Sequence, residues 1–455
     1  MNVPLESLQR CFSGIVPATI VTCAADGTPN VTYISQVYYL DPRHVAVSCQ
    51  FFNKTARNLR ENPQAMVEVW DPVTIEAFRL RLRYVRSETE GPLFDAMAHR
   101  IDAIASHTGM GGVFKLRSAD VCEVETVEHV DRFLDDAPAG ESCDEPCVAD
   151  GPLGELRALS LVSSRVNRAG CLEGLLGDVL KALDEVFRFR HSMVLLCDDK
   201  CGTLVTIASH GYGESGVGAE VPVGAGLIGT VAEKRRPIQL SGVESLLRYG
   251  RAVRKGVEKD GGPVRPEIPL PGLADAEAQL ALPLLVEDRL LGVLAIESRS
   301  PLAFAEWHET FLSVLANQIA IGIDRFSSTP DEDEKAVGTP DTSPPAGARR
   351  SFLYYRNDDC VFVDGEYLVR NVPGKILWKL LKEYRDGRRE FTNRELRLDP
   401  SLGLPAYKDN LESRLILLKR RLEERCPEIR LVPVRRGRFS LEVGCVMQME
   451  EREAG

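Results

Sequence analysis

The sequence predicts a multidomain chain in which a mixed β-barrel, an α/β domain and an α+β domain follow one another. A length of 455 residues exceeds what a single hydrophobic core normally supports, so two or three domains are expected. Two segments have the composition of linkers: residues 131–152 are acidic and rich in Pro, Gly and Ser, and residues 327–349 are almost free of large apolar side chains. These linkers leave domains at residues 1–130, 153–326 and 350–446.

Composition places the chain among ordinary globular proteins. Hydrophobic residues make up 44% of the chain and charged residues 27%. No stretch approaches the ~20 apolar residues of a membrane-spanning helix, and the N-terminal residues lack the basic start and apolar run of a signal peptide. We therefore expect a cytoplasmic protein with no membrane partner, in which most of the 12 cysteines are small buried apolar side chains.

Two pairs of cysteines have the spacing C-x3-C, which raises the question of a metal site. They are Cys143 with Cys147 and Cys197 with Cys201. Neither pair has a second pair or a nearby histidine that would complete a tetrahedral set of ligands. We therefore expect no metal site.

Charge is distributed unevenly along the chain. The net charge is −11, but the segment 350–443 holds 21 Lys and Arg against 15 Asp and Glu. That segment therefore carries +6 and the remainder −17. A basic terminal domain on an acidic body indicates a polyanionic partner such as a nucleic acid.

The first domain is predicted to consist mostly of strands. Asp26 and Gly27 mark a turn between two β-prone segments. In the segment FRLRLRYV, which begins at Phe78, apolar and arginine side chains alternate, and this pattern indicates a strand with one buried face. A helix is predicted in PLFDAMAHRIDAIAS and a final strand in ADVCEVETVEHV. Together with the short helix described next, these elements predict a small mixed barrel with two helices.

A Lys-Thr pair lies at the start of that short helix, which follows the β-prone segment HVAVSC in the run QFFNKTARNLRENP. The first turn of a helix has N–H groups without intrahelical partners and the positive end of the helix dipole. With the ammonium of Lys54 and the hydroxyl of Thr55, these groups suit an anion such as a phosphate. The alternative is a basic turn that is merely solvated.

The run from TPNVTYIS through AVSCQFFNKTARNLRENPQAMVEV, with the closing VFKLRSADVCEVETVE, resembles the split-barrel flavoproteins of the pyridoxamine 5′-phosphate oxidase-like superfamily. The resemblance implies a mixed split β-barrel that binds flavin mononucleotide (FMN) at a homodimer interface. By position, it implies contacts to the FMN phosphate from Lys54, Thr55 and Asn58. It places the strand from Thr32 to Ser35, and Ser48 on the next strand, along the flavin ring, so that the implied cofactor-binding residues are Lys54, Thr55, Asn58, Thr32, Ser35 and Ser48.

The chain departs from the oxidases of that superfamily in one respect. The residues that would hold the phosphate of an oxidase substrate cannot be placed, so vitamin B6 oxidation is not supported. Because the superfamily also contains haem- and deazaflavin-binding members, those cofactors remain alternatives to FMN. His99 and His107 are the nearest candidates for an axial haem ligand, although a helical histidine is more often a surface or core residue.

The second domain is predicted to alternate helices and strands. The order of its elements, with VPVGAGLIGTVAEKRRPI and LPLLVEDRLLGVLAIE, resembles a GAF domain, a small α/β sensor domain that often dimerises through its terminal helices. We interpret the glycines of GAGLIG as turn and packing residues, because they lack the Lys and Ser/Thr of a nucleotide-triphosphate loop. The resemblance does not identify the ligand.

Two features of the second domain leave alternatives open. Cys197, Cys201 and His210 are conceivable ligand contacts, but core cysteines and a loop histidine are the more ordinary interpretation. Residues 241–278 form an insert with five Lys and Arg between Arg248 and Lys259, which suits either a lid over a pocket or a solvated loop, the latter slightly favoured.

The third domain is predicted to contain short strands, three helices and a final hairpin. Asp364-Gly365 indicates a hairpin turn, and Thr392 three residues before Glu395 indicates a capping box that opens the second helix. Residues 350–446 resemble the winged helix-turn-helix output domain of two-component response regulators, with a long third helix and a wing of the form VRRGRFSL. The resemblance implies an α+β winged helix in which the third helix enters the major groove of DNA. By position, it implies DNA contacts from Lys408, Asn410, Ser413, Arg414, Arg421, Arg435, Arg436 and Arg438.

Three functions are compatible with these resemblances. The leading hypothesis is a one-component transcription regulator in which the barrel and the GAF domain sense a redox state or small ligand and a homodimer binds DNA. No receiver domain with a phosphorylatable Asp precedes the third domain, so the input is not a phosphate. The alternatives are an FMN-dependent oxidoreductase regulated by its other domains, for which no substrate acid or base and hence no catalytic residue is identified, and a cofactor-free dimeric scaffold.

Overall fold

The computed structural model describes eleven stretches of the chain. They are residues 3–34, 36–50, 53–130, 151–198, 202–212, 216–259, 272–328, 349–357, 359–404, 411–435 and 437–452. Within these stretches no helix combines the length and the apolarity that crossing a bilayer requires. The same stretches contain no group of three or more His, Cys, Asp or Glu side chains placed to hold a metal ion.

The first domain is built on a seven-stranded antiparallel sheet. Its strands are β1 (Ala18–Cys23), β2 (Pro29–Ile34), β3 (Val37–Asp41), β4 (His44–Cys49), β5 (Gln64–Trp70), β6 (Ala77–Glu88) and β7 (Ser118–Val130). They are ordered β2-β1-β5-β6-β7-β4-β3. The predicted alternation is confirmed on β6, where Phe78, Leu80 and Leu82 are buried and the arginines between them are exposed. The predicted turn is also confirmed, and Gly27 adopts a φ of +88° within it.

Three helical segments accompany this sheet. They are a 3₁₀ helix (Leu5–Phe12), α1 (Asn53–Glu61) and α2 (Pro92–His107). The 3₁₀ helix, which the sequence did not predict, packs Leu8 and Phe12 into the barrel core. Helix α2 buries Met97 and Ile101 between the barrel and the second domain, so one apolar cluster is shared by both domains.

The second domain is a six-stranded antiparallel sheet between two layers of helices. In chain order its elements are α3 (Gly151–Arg168), α4 (Leu172–Phe187), β8 (His191–Asp198), β9 (Thr203–His210), β10 (Glu220–Pro222), α5 (Gly226–Lys234), β11 (Ile238–Ser241), α6 (Val243–Lys259), β12 (Ala278–Val286), β13 (Arg289–Ser298) and α7 (Glu306–Ser328). The strands are ordered β10-β9-β8-β13-β12-β11. Helices α3, α4 and α7 share one apolar cluster with the sheet, and α5, α6 and the barrel helix α2 share the other.

The second domain differs from the sequence-based expectation in two respects, the residue at which it begins and the structure of its insert. Helix α3 begins at Gly151, inside the segment assigned to the first linker. The insert at residues 241–278 contains α6, a helix whose Leu246, Leu247 and Val253 pack on the shared cluster. The favoured interpretation of this insert as a solvated loop is therefore wrong for α6, because its apolar side chains recur at helical spacing.

The third domain combines three helices with two small sheets. In chain order its elements are β14 (Arg349–Tyr355), β15 (Cys360–Val363), β16 (Glu366–Val369), α8 (Asn371–Arg385), β17 (Glu390–Thr392), α9 (Asn393–Leu398), a 3₁₀ turn (Pro400–Leu402), α10 (Leu411–Arg425), β18 (Ile429–Arg435), β19 (Arg438–Val443) and β20 (Val446–Arg452). The sheets are ordered β16-β15-β14-β20 and β17-β19-β18. The capping box of Thr392 and Glu395 is confirmed, as is the hairpin turn at Asp364-Gly365. Strand β20, which pairs in parallel with β14, extends beyond the expected boundary at residue 446.

Candidate functional site

A cluster of polar side chains lies at the start of α1, where the sequence predicts a phosphate site. Thr55 is buried, and its Oγ1 accepts a hydrogen bond from Asn30 Nδ2 at 3.0 Å. Asn58 is fully buried, and its Nδ2 donates to Thr22 Oγ1 at 3.2 Å. Both side chains therefore tie α1 to the β1–β2 hairpin, and two of the three predicted phosphate ligands are engaged within the barrel.

Two other groups near the start of α1 suit an acceptor ligand such as the phosphate or a ring carbonyl of a flavin. Lys54 is exposed on the first turn of α1. Gln50 directly follows β4, is only 2% exposed, and its Nε2 has no hydrogen-bond partner among the described residues. Because a buried donor without a partner costs free energy, an acceptor oxygen of a bound group would stabilise it. The Oδ1 of Asn58, also unpartnered in the described stretches, is itself an acceptor and does not fit a phosphate.

The residues expected along the flavin ring are dispersed. Thr32 is half-buried on β2, and its hydroxyl donates to the Tyr33 carbonyl at 3.5 Å. Ser48 is buried on β4 opposite Ala119 of β7, and Ser35 lies outside the described residues. Four strands separate β2 from β4 in the sheet order, so strand pairing does not bring Thr32 and Ser48 together.

A second group of candidate residues lies where the barrel meets the second domain. Ser106 of α2 donates from Oγ to the Gly224 carbonyl at 2.9 Å and accepts from Gly226 N at 2.6 Å. It thereby caps the start of α5, whose own N-cap residue, Ala225, has no side-chain oxygen. Arg254 of α6 donates from Nη1 to the Thr108 carbonyl at 2.9 Å. The two domains therefore share polar bonds as well as an apolar cluster.

A small cavity lies at this junction, and α6 covers it. Its walls include Ile104 and His107 of α2, Leu227 of α5, Leu246 of α6 and Gln279 of β12. The cavity is mostly apolar, and the imidazole of His107 and the amide of Gln279 are the polar groups of its wall. Because α6 belongs to the insert at residues 241–278, the insert closes a cavity. This placement agrees with the interpretation of the insert as a lid.

The two histidines considered as haem ligands are both on α2. His107 lines the cavity at the junction with the second domain rather than a pocket inside the barrel. His99 is half-buried, and burial together with the charge of Lys234 holds its pKa below the ordinary value. Neither placement supplies an axial ligand inside the barrel sheet.

A buried carboxylate that the sequence reading missed adjoins this cavity. Glu297 of β13 is 3% exposed and accepts hydrogen bonds from Tyr212 Oη at 3.0 Å, Gln279 Nε2 at 2.9 Å and Leu273 N at 2.8 Å. Burial raises the pKa of Glu297, and these hydrogen bonds oppose the rise. The signal in the sequence is one acidic residue inside the apolar run LLGVLAIES.

The glycines of GAGLIG serve as turn and packing residues, as predicted. Gly224 and Gly226 adopt φ values of +82° and +61°. A Cβ on Gly229 would lie 2.3 Å from the Pro222 carbonyl oxygen, so no larger residue fits between α5 and the turn.

The two candidate ligand contacts of the second domain that the structure describes, Cys197 and His210, lie at opposite ends of the paired strands β8 and β9. Cys197 is half-buried near the end of β8, and His210 Nε2 pairs with Asp184 Oδ2 at 3.0 Å. Cys201, Cys143 and Cys147 lie outside the described residues, so the second C-x3-C pair is seen only in part.

Helix α10, which the sequence predicts to contact DNA, lies against the second domain. Leu411, Leu418 and Leu422 pack in the core of its own domain, as predicted. Ser413 is 5% and Arg414 8% exposed, so neither is available to DNA in this arrangement. Arg421 is half-buried and donates from Nε to the Leu368 carbonyl at 3.2 Å. Two further predicted contacts, Lys408 and Asn410, lie outside the described residues.

The β18–β19 hairpin carries the remaining predicted DNA contacts. Arg435 and Arg438 face each other across the hairpin, and both are half-buried. Arg438 Nη1 lies 3.4 Å from Glu390 Oε2 of the neighbouring strand β17. Arg436 lies outside the described residues.

Comparisons with known proteins bear on the first two domains. Residues 5–128 match the family model for pyridoxamine 5′-phosphate oxidase, and residues 172–323 match the model for the GAF domain. The chain therefore contains a pyridoxamine 5′-phosphate oxidase-like domain followed by a GAF domain. The corresponding two resemblances are confirmed, and the C-terminal domain lies beyond both matches.

Three solved structures illustrate these similarities. The GAF domain of a phosphoenolpyruvate-protein phosphotransferase from Coxiella burnetii is 29% identical in sequence. The aligned region covers 38% of this chain and 94% of that domain's chain, with a TM-score of 0.32. An FMN-binding protein from Syntrophomonas wolfei is 20% identical, with coverages of 28% and 89% and a TM-score of 0.24. A free methionine-R-sulfoxide reductase from Neisseria meningitidis is 17% identical, with coverages of 40% and 95% and a TM-score of 0.32. No curated protein matches the chain.

Proposed function

We propose that the chain is a one-component transcription regulator of the cytoplasm, with two sensing domains and a DNA-binding C-terminal domain. The observation that carries this proposal is the order of elements in the C-terminal domain, where α8, α9 and α10 are followed directly by the β18–β19 hairpin. This order suits a winged helix, with α9 and α10 as the helix-turn-helix pair and the hairpin as the wing.

The chemistry of these elements supports DNA as the partner. In a helix-turn-helix, residues near the N-terminus of the second helix contact base edges. Ser413 and Arg414 lie near the start of α10, and Lys408 and Asn410 precede them in the sequence. Arg and Asn side chains are suited to reading guanine and adenine. The wing arginines and Arg421 would neutralise phosphates, which positions the domain without selecting a sequence.

The oxidase-like barrel is proposed to bind FMN as the redox-sensing element. Lys54 and the first turn of α1 would hold the phosphate, with Gln50 Nε2 as a further donor. Thr55 and Asn58 would act through their bonds to Asn30 and Thr22, which hold α1 in place. Bound FMN would supply hydride or electron transfer, and the GAF domain would respond to a small ligand.

A homodimer is proposed as the DNA-binding form. Val31 and Tyr33 on the edge strand β2 are 63% and 69% exposed, which is unusual for large apolar side chains. Leu156 of α3 and Ile321 of α7 are 62% and 64% exposed. Because these two helices pack side by side on one surface of the GAF domain, they offer a second apolar contact between copies.

The experiment that tests this function is a selection of DNA by the full-length protein from random-sequence duplexes at low salt. A dimeric winged helix should enrich two half-sites whose centres are about 10 base pairs, or a multiple of that, apart. A chain carrying Arg435→Ala and Arg438→Ala should enrich the same sites less, because it loses phosphate contacts. Recovery of no common sequence by either protein would overturn the proposal.

A further inference from the structure

Helix α10 uses two opposite faces for packing. One face, with Leu411, Leu418 and Leu422, lies in the core of the C-terminal domain. The opposite face presents Ile416 and Leu417, which are 7% and 9% exposed because they join the apolar cluster of the GAF domain. An isolated winged helix would leave that second face in solvent or in the groove of DNA. Here the GAF domain covers it.

Charged side chains cross the same interface in complementary pairs. Lys419 Nζ lies 2.9 Å from Glu173 Oε2, and Arg370 Nε lies 2.9 Å from Glu220 Oε1. Arg414 Nη2 lies 3.7 Å from Asp198 Oδ1, with 9% and 15% of the two side chains exposed. In each pair the cation belongs to the C-terminal domain and the carboxylate to the GAF domain.

The three carboxylates come from separate elements that meet at one side of the GAF domain. Glu173 lies in the first turn of α4, Asp198 at the end of β8 and Glu220 at the start of β10. Between them, a Cβ on Gly218 would lie 3.3 Å from Leu417 Cδ1 and 3.5 Å from Arg421 Cδ, so α10 lies close to the backbone there. The result is a surface with a negative rim and an apolar centre, which we name the acidic dock: Glu173, Asp198, Gly218 and Glu220.

We propose that the acidic dock binds the C-terminal domain of its own chain in competition with DNA. This inference rests on the proposed DNA-binding function. Ser413 and Arg414 cannot reach base edges while they are buried against the GAF domain. A carboxylate and a phosphate compete for the same guanidinium and ammonium groups, so docking and DNA binding exclude each other. The docked arrangement is then the DNA-free form, and a ligand of the GAF domain acts by changing how often the dock is vacant.

The size of the effect follows from the fraction of molecules with a vacant dock. If one molecule in ten is undocked, the apparent Kd for DNA is about tenfold above its intrinsic value. Variants that weaken the dock without touching the C-terminal domain should recover most of that factor. The substitutions must therefore be made on the GAF side.

The test compares two full-length triple variants that remove the same charge. The dock variant carries Glu173→Gln, Asp198→Asn and Glu220→Gln, and the control carries Glu185→Gln, Glu233→Gln and Glu244→Gln, which lie outside the dock in the same domain. Each is titrated with a fluorescent random-sequence duplex of about 20 base pairs at fixed salt. The control corrects for the increase in affinity for DNA that any loss of negative charge produces.

The dock variant should bind the duplex more tightly than the control variant, by a factor that approaches about ten if one control molecule in ten is undocked. Equal affinity of the two triple variants would overturn the docking proposal and leave the DNA-binding function standing. Absence of binding by every variant at low salt would overturn the DNA-binding function, and the docking proposal with it. If the triple dock variant does not fold by circular dichroism, the single variant Glu220→Gln is compared with Glu244→Gln, and equal affinity there has the same meaning.

Discussion

Ser106 of the barrel helix α2 caps a helix of the neighbouring GAF domain, since its Oγ accepts a hydrogen bond from Gly226 N at 2.6 Å. The same oxygen donates to the Gly224 carbonyl at 2.9 Å. A cap supplied from another domain couples the stability of α5 to the position of α2. The oxidase-like barrel is thereby connected to the Gly-rich turn before α5, the helix whose Leu227 lines the cavity at the junction.

Removal of this cap should destabilise the junction. Ser106→Ala leaves Gly226 N without its partner, and N-cap losses cost about 1 kcal/mol of the free energy of unfolding. Urea unfolding followed by circular dichroism measures the change. Ser160→Ala, an exposed position on α3, is the matched control and should stay within about 0.5 kcal/mol of wild type. Equal stability of the two variants would show that Ser106 does not couple the domains.

Two glycines of the GAF domain should respond in opposite directions to alanine. A Cβ at position 229 would lie 2.3 Å from the Pro222 carbonyl oxygen, a backbone atom that cannot rotate away, so Gly229→Ala should cost at least about 2 kcal/mol. Gly177 is exposed within α4 and has open space around it, so Gly177→Ala should stabilise by about 0.5–1 kcal/mol. Thermal unfolding of both variants measures the difference, and a shift of the same sign in both would contradict the packing described here.

Stability should fall in mild acid because of His308. This side chain is buried on α7 beside Phe189 and Trp307, its Nδ1 accepts a hydrogen bond from Ala305 N at 2.8 Å, and burial lowers its pKa to about 4. In the unfolded chain the pKa is about 6.5, so the unfolded state takes up the proton first. Its contribution, about 3 kcal/mol at most, is therefore complete above pH 6.5 and is lost as pH falls toward 4.

The variant His308→Asn isolates this contribution. Asparagine keeps an acceptor for Ala305 N and does not titrate. Between pH 7 and pH 5 the wild type should lose more of its free energy of unfolding than the variant, as measured by urea titration at each pH. Parallel losses in the two proteins would assign the acid sensitivity to other groups.

The barrel should take up FMN in a way that depends on Lys54. Loss of an ammonium that contacts a phosphate typically costs a factor of about ten or more in Kd. Lys54→Ala should therefore weaken FMN binding by that factor, whereas Arg57→Ala, an exposed cation on the same helix, should change it little. The flavin absorbance bands and their shift on titration measure both constants. Equal weakening of FMN binding by the two variants would show that the positive charge of the helix, and not a specific contact from Lys54, determines the affinity.

Local patterns in the sequence were sufficient for much of the fold. The alternation in β6 and the capping box at Thr392 depend on residues a few positions apart, and both are confirmed. Strand β20 was missed although VMQMEER alternates in the same way, because its partner β14 lies almost a hundred residues upstream. Helix α6 was not predicted because its Lys and Arg residues make the segment polar on average, although Val243, Leu246 and Leu247 recur at helical spacing.

The candidate sites were less accessible to sequence reasoning because they depend on distant contacts. Thr55 looked like a free phosphate ligand, but its hydroxyl bonds to Asn30, 25 residues away. The leucine stripe of α10 predicted one packed face. Ile416 and Leu417 are apolar residues on the other face, and they were the sequence feature of α10 that indicated a second interface. Covering of that face by the GAF domain, whose Glu173 and Asp198 lie more than two hundred residues before their partners on α10, could not be deduced from the spacing of side chains.

The most direct test of the regulator proposal is the salt dependence of DNA binding by the full-length dock variant, in which competition from the GAF domain is reduced. We expect the logarithm of the binding constant to fall linearly with the logarithm of salt concentration, with a slope that reports several phosphate contacts. Adding Arg435→Ala and Arg438→Ala should make that slope less negative by about two. A binding constant that does not change with salt, or no binding at the lowest salt, would contradict the assignment of the C-terminal domain to DNA.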